Sequence, residues 1–321
     1  MTSSRLGYAC INMSLAFGPK NKRIIINNTC TQKTFETKGI PYVYDLIEKN
    51  LKAVIKILEW NYQHGILFYR MSSDMFPHYT NPKFINSSNK FAYSIDKFNN
   101  YFTRIGELAE KYNIRLTFHP GQFVQIGTPN PLVFEKSKLD LEYHASILDK
   151  CNLPPESVMV VHGGGTYKDK DTTIKRWCKQ FHTLPDSVKN RLVIENCERQ
   201  YNYKDCLYIS KKIKRPVIFD IHHHNCYSEL IEPLPDPIEF IDDIIETWGD
   251  IKPKIHISEQ ALDKKIGAHS NYVLNIPDWC FEKNLDIMIE AKYKEQAVLY
   301  LYDKYFTYDP TKKNLVWSLK K

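Results

Sequence analysis

Eight short apolar runs, separated by stretches of helical spacing, constrain this chain more than any other feature. They cover residues 6–10, 66–71, 114–118, 158–161, 192–194, 217–219, 254–257 and 287–289. Helical periodicity falls between them over 42–62, 94–112, 134–151, 171–181, 203–213, 237–248 and 294–305, while 18–39 reads as irregular. Apolar runs this short, alternating with helices, argue for a parallel sheet covered on its outer face. Eight units close a (β/α)8 barrel. No composition shift, repeat or low-complexity segment breaks the series. Residues 1–321 are therefore expected to form a single TIM-type barrel with its active site at the C-terminal ends of the strands.

The chain is long enough for such a barrel, and its 43% hydrophobic content allows an ordinary core. A formal charge of +7 favours polyanionic partners only modestly. No apolar run reaches the ~18–20 residues of a membrane span. The start, MTSSRLGYAC, lacks a basic-then-apolar leader pattern. An intracellular protein is expected, cytoplasmic or nucleoid-associated in a bacterial cell, acting as a monomer. Eight cysteines without a CxxC pair read as reduced thiols.

Function is written at the strand ends. Residues 216–225, PVIFDIHHHN, run from an apolar segment into Asp220, His222, His223 and His224. Asp220 and His223 are three apart, so a turn just past the strand can aim both at one point. The other runs end alike: His119 after the third, His162 after the fourth, Glu195 after the fifth, His256 within the seventh and Glu290 after the eighth, with His269 in the loop after the seventh. A closed barrel brings these ends to one face. Gathering so many acids there without cations would be costly. Mixed imidazole and carboxylate ligands without thiolate suit Zn²⁺, Mn²⁺ or Fe²⁺, and their number exceeds the need of one ion. Two or three divalent ions are expected, with Mg²⁺ a further candidate. Lys254 shares a strand face with His256. It is expected to be carbamylated, to pair with an acid, to contact a phosphate, or to snorkel outward. His144 reads as a packing residue, His64 and His182 as surface residues, and His222 or His224 as a support for a neighbouring ligand.

These residues resemble the UV damage endonuclease family. The motifs are RLGYACINMSL (5–15), FYRMSSDMFP (68–77), LTFHPGQF (116–123), VVHGGG (160–165), LVIEN (192–196), FDIHHH (219–224), KIHIS (254–258), GAHS (267–270) and MIEAKYKEQ (288–296), spanning the barrel from first strand to last. The resemblance implies a TIM-type barrel related to endonuclease IV and the sugar isomerases. It implies an enzyme that nicks damaged double-stranded DNA immediately 5′ of cyclobutane dimers and 6-4 photoproducts, using divalent metals, typically Mn²⁺, and leaving 3′-OH and 5′-phosphate ends. It implies that His119, His162, Glu195, Asp220, His223, His256, His269 and Glu290 bind metal, with Glu195 bridging ions. The chemistry is expected to turn on Glu195, His119 and Lys254.

By the same resemblance, Tyr8 and Asn12 lie close to the lesion and the metals, and Gln122 and Phe123 probe the duplex. A pyrimidine dimer stacks and pairs poorly, which favours its extrusion. Phe123 is either a wedge in the stack or a core aromatic. The glycines 163–165 either allow a phosphate to approach or simply turn the chain. Lys168, Lys170, Lys264 and Lys265 are candidate phosphate contacts. One departure matters: where the family often carries FASH after the second strand, this chain has Asn81 at the histidine position, and His78 nearby is the candidate replacement ligand. An endonuclease IV-like enzyme for abasic sites is the nearest alternative, and a metal-dependent sugar isomerase a more distant one.

Overall fold

The computed structural model describes residues 4–17, 19–85, 90–308 and 316–320. The first three residues of the N-terminus and part of the Asn-rich stretch after Pro82 lie outside them. Eight parallel strands form the sheet: β1 (Arg5–Ala9), β2 (Phe68–Arg70), β3 (Arg115–Thr117), β4 (Met159–His162), β5 (Leu192–Glu195), β6 (Val217–Asp220), β7 (Lys254–Ile257) and β8 (Asp286–Ile289). Their order is β3-β2-β1-β8-β7-β6-β5-β4. A parallel bridge between Phe118 and Met159 joins the two ends. There Phe118 N–H donates to the Val158 carbonyl and Val160 N–H to the Phe118 carbonyl, both at 3.0 Å. The sheet is thus a (β/α)8 barrel.

Helices lie between successive strands. Tyr203–Ile213 and Lys294–Tyr305 coincide with the periodic stretches. Three elements depart from expectation. Helix begins at Gln32 rather than near residue 42, capped by the Thr31 hydroxyl. It breaks at Gly39 (φ +73°) and resumes through Pro41 to Gln63, and this break conceals the first segment from a periodicity search. The His-rich stretch is not a loop: Ile221–Leu230 is helical directly after β6, and the Asp220 carboxylate caps it by accepting from the His223 N–H at 2.8 Å. The segment read as one helix over 237–248 is a 3-10 turn, Pro237–Glu239, followed by a short helix, Ile241–Glu246. None of the eight cysteines is bridged.

Strand side chains alternate between the helix layer and the barrel interior. The interior is therefore stacked in layers. At the N-terminal end, Asp286 accepts from Arg5 at 2.8 and 2.6 Å and from Arg115 at 2.9 Å, and pairs with Lys252 at 3.0 Å. Above it sits a mostly apolar layer that includes Val160, Val193, Ile218, Phe68 and Met288. The uppermost layer is polar. Register sets His162 beside Glu195 and Asp220 beside His256.

Burial pushes the Asp286 carboxyl up, but Arg5, Arg115 and Lys252 together outweigh it and hold the group below its ordinary value. Replacing Asp286 with Asn leaves buried cations without their counter-ion. The variant should lose about 3–5 kcal/mol, read as a lower urea midpoint with an unchanged slope.

Candidate metal centre

Glu195 occupies the middle of the upper layer and is fully buried. Its Oε1 faces His256 Nδ1 at 2.5 Å, and its Oε2 faces His119 Nε2 at 2.9 Å and His162 Nε2 at 3.4 Å. His223 Nδ1 lies 4.0 Å from Oε1 and 3.8 Å from Asp220 Oδ2. His256 Nδ1 is 3.9 Å from Asp220 Oδ2 and 3.4 Å from Glu290 Oε1. His269 Nδ1 completes the edge, 3.9 Å from Glu290 Oε2. All eight expected ligands thus meet at one end of the barrel.

Two overlapping triads have ligand atoms within 4.8 Å of one another: His119, His162 and Glu195, and Glu195, Asp220 and His256. The donor set fits divalent ions. Asp220 Oδ2, His162 Nδ1 and His256 Nε2 are buried without a hydrogen-bond partner, and such groups are costly unless something satisfies them.

Electrostatics separate the carboxylates. Burial raises the Glu195 carboxyl, but His256, His162 and His119 outweigh it and hold the group well below the usual range. Glu290 is held down likewise, burial being overcome chiefly by Arg70, whose guanidinium pairs with it, and by His256. Asp220 lacks such compensation: burial pushes it up to about 7 despite His223. Burial lowers His162 and His256 to about 4. His223 moves the other way, to about 9, because Asp220, Glu195 and Glu198 overcome its burial.

Lys254 sits one layer down, fully buried, with no hydrogen-bond partner for Nζ and the Phe68 ring centroid 5.5 Å away. Burial, with Arg70 and Arg115 nearby, holds its pKa well below the ordinary lysine value. It neither snorkels outward nor forms an ion pair.

Other expected residues are placed differently. His78 stands apart: its Nε2 donates to the Cys30 carbonyl at 2.8 Å and its ring stacks on Phe35. Asn81 turns its Oδ1 to the Lys83 N–H at 3.0 Å. Neither joins the triads. Tyr8 and Asn12 are buried; the Tyr8 hydroxyl donates to Asn61 at 2.7 Å and accepts from Asn12 at 2.8 Å. They hold the start of the first loop beneath the surface and offer little face to a large ligand. Gln122 and Phe123 are at the rim, and Phe123 is 77% exposed, so it is no core aromatic. Packing accounts for two of the three glycines: a Cβ at Gly163 would lie 2.4 Å from the Tyr201 ring, and one at Gly164 (φ +85°) 2.4 Å from Gln125 Oε1. Lys170 pairs with Asp205 at 2.5 Å, whereas Lys168, Lys264 and Lys265 are exposed.

Three residues escaped the sequence reading. Arg70 ends β2, a strand read as closing on Ser72–Asp74. Glu198 lies three residues past Glu195, and its carboxyl is held below its ordinary value because His223 and His162 help to outweigh its burial. Gln125 ties two loops together: its Nε2 donates to the Gln122 carbonyl at 2.8 Å, and its Oε1 accepts from the Gly165 N–H at 2.9 Å and the Tyr167 hydroxyl at 3.2 Å.

The fold and this centre define a TIM barrel with a histidine–carboxylate site at its C-terminal mouth. Comparison narrows the class: the family model for UV-endonuclease UvdE matches residues 4–318, and the chain belongs to that family. It is 37% identical over 313 residues to a putative UV-damage endonuclease of Acanthamoeba polyphaga mimivirus, covering 94% of this chain and 91% of that protein. It is 32% identical over 310 residues to the UV DNA damage endonuclease of Bacillus cereus strain 03BB102, covering 92% of each. The crystal structure of SacUVDE superposes with a TM-score of 0.78 at 30% identity, over 92% of this chain and 96% of that one. Endonuclease IV of Thermus thermophilus shares the fold, with a TM-score of 0.51 at 14% identity, over 77% of this chain and 91% of that one. Among the described residues no helix is long and apolar enough to cross a membrane.

A carboxyl whose folded pKa exceeds its unfolded value costs stability as pH rises between the two. For Asp220 the window runs from the ordinary 3.8 to about 7. In EDTA, Asp220→Asn should remove that loss, so its urea-measured stability should fall less than the parent's from pH 4 to pH 7.

Proposed function

We propose that this chain is a metal-dependent endonuclease that nicks double-stranded DNA immediately 5′ of UV photoproducts, cyclobutane dimers and 6-4 photoproducts, leaving 3′-OH and 5′-phosphate ends. One observation carries the metal dependence: the two oxygens of Glu195 face different imidazoles, so one carboxylate can serve two ions. In this reading His119, His162, Glu195, Asp220, His223, His256, His269 and Glu290 hold two to three divalent ions, Mn²⁺ first, with Zn²⁺, Fe²⁺ or Mg²⁺ as alternatives. Bound ions would activate water and neutralise charge on the phosphodiester.

The chain's own groups do the rest. His119 and Glu195 fix the geometry at the mouth. Arg70 neutralises Glu290 and holds it in place. The Lys254 amine, buried without a hydrogen-bond partner, is suited to carbamylation: its nitrogen adds to the carbon of CO₂ and a proton is released. Gln122 and the exposed Phe123 meet the duplex at the lesion. DNA is the substrate, no membrane is involved, and the chain acts as a monomer.

The test is a duplex oligonucleotide carrying one cyclobutane dimer, with an abasic duplex beside it. With Mn²⁺ a single nick 5′ of the dimer is expected, and none in EDTA. Preferential cleavage of the abasic duplex would favour the endonuclease IV-like alternative. Glu195→Gln should lower the nicking rate by more than the roughly 10–100-fold typical of losing a group that merely supports a ligand. It should also abolish the rise in melting temperature that saturating Mn²⁺ gives the parent, worth about 2.7 kcal/mol at a hundredfold excess over Kd. Near-parental cleavage by this variant would contradict the assignment.

A further inference from the structure

The loop after β7 carries Leu262, which is 89% exposed, at its tip. A single exposed leucine is ordinary on a protein surface. This one is held out by a loop built for the purpose. The Gln260 side chain lies at its centre: Nε2 donates to the carbonyls of Ala261, Lys264 and Lys265 at 3.1, 3.2 and 3.0 Å, and Oε1 accepts from the Gly267 N–H at 2.8 Å. Backbone bonds close the loop, from Ala261 N–H to the Ala268 carbonyl at 2.7 Å and from Ala268 N–H to the Lys265 carbonyl at 3.0 Å. Asp263 (φ +55°) and Gly267 (φ +93°) supply the left-handed turns. Leu262, Asp263, Lys264 and Lys265 all remain exposed. The loop runs directly into His269, at the edge of the metal centre.

Its position in the barrel gives this loop a counterpart. In the closed order, β7 and β3 are four strands apart in either direction, so their loops face each other across the mouth. The β3 loop is also held by a glutamine: Gln125 Nε2 bonds the Gln122 carbonyl within the loop, and its Oε1 anchors the loop to Gly165 and Tyr167 of the β4 loop. It too holds out one apolar side chain, Phe123. Two apolar tips on fixed loops therefore bracket the histidine–carboxylate centre. Apolar wedges flanked by cations are how proteins hold an unstacked or bent duplex. A loop fixed before binding also loses little conformational freedom on contact.

We propose that Leu262 is a second apolar wedge, engaging the DNA on the side of the site opposite Phe123, with Lys264 and Lys265 on the adjacent phosphates. This rests on the nuclease reading above and adds how the duplex is gripped. Sequence spacing gave the two lysines but no reason to single out Leu262.

The test is single-turnover nicking of the dimer-containing duplex by the full chain in Mn²⁺, read as a half-saturating protein concentration and a maximal rate. Leu262→Ala should raise half-saturation roughly five- to ten-fold while leaving the thermal midpoint unchanged. Leu262→Met, which keeps an apolar tip, should restore it. Ile238→Ala, an exposed apolar residue outside the two loops, should match the parent. Replacing Lys264 and Lys265 together with Ala should flatten the salt dependence of half-saturation by about two logarithmic units per decade. If the parent nicks but Leu262→Ala stays within two-fold of it, the wedge is overturned and the nuclease reading stands. An unchanged salt slope overturns the phosphate contacts. A parent that does not nick lesion DNA overturns both readings.

Discussion

The burial of the Glu195 carboxylate is the constraint around which the rest of the molecule is arranged. A carboxylate at zero exposure is tolerable only if its charge is answered within a few ångströms. His119, His162 and His256 come from three other strands to answer it. They can do so only because the barrel closes between β3 and β4: an open sheet would leave His119 and His162 on opposite edges. Closure and chemistry therefore depend on each other. The bridge at Phe118 and Met159 brings the first donor of the site beside the second.

That answer is incomplete, and the remainder defines the site. Asp220 Oδ2 has no hydrogen-bond partner, and Asp220 also caps the following helix with its other oxygen. The same residue thus fixes the helix that carries His223 and leaves an acceptor aimed at the centre. At the opposite end of the barrel, Asp286 is surrounded by three cations and fully satisfied. A mostly apolar layer separates the two charged layers, with Lys254 as its basic exception. The contrast between a saturated acid below and an unsaturated one above separates a structural ion cluster from a site poised to bind cations.

The strand ends were legible because short apolar runs alternating with helices placed them without knowledge of any contact. Tyr203–Ile213 was legible from its helical spacing, and the structure adds a capping box between Asn202 and Asp205 at its start. The helix Ile221–Leu230 was not legible: three consecutive histidines have modest helix propensity and look like a polar loop. Its start is fixed by a capping bond from a residue that sequence alone assigns to the metal. His78 was proposed as a ligand on proximity in sequence, but an aromatic cluster with Phe35 and Phe84 holds its ring, and Cys30 occupies its Nε2. Gln125 and Gln260 were invisible for a related reason. Their roles lie in hydrogen bonds to backbone groups of other loop residues, and such bonds leave no mark on composition or periodicity.

The β2 end brings no imidazole to the triads, and what it contributes instead shapes the charge of the mouth. Arg70 supplies a fixed positive charge against Glu290. With every imidazole neutral, as metal binding requires, Glu195, Asp220 and Glu290 against Arg70 leave a formal deficit of two charges. One divalent ion neutralises that deficit, and a second leaves the mouth with two positive charges. A phosphodiester is an anion, so on the proposed reading a doubly loaded centre would complement the DNA backbone. A singly loaded one is merely neutral. Were Lys254 converted to an anionic carbamate, it would deepen the deficit by one and favour a further ion at the same final charge range. On the proposed reading, metal loading, the state of Lys254 and attraction for DNA would be linked through a single electrostatic balance in which Arg70 sets the starting point.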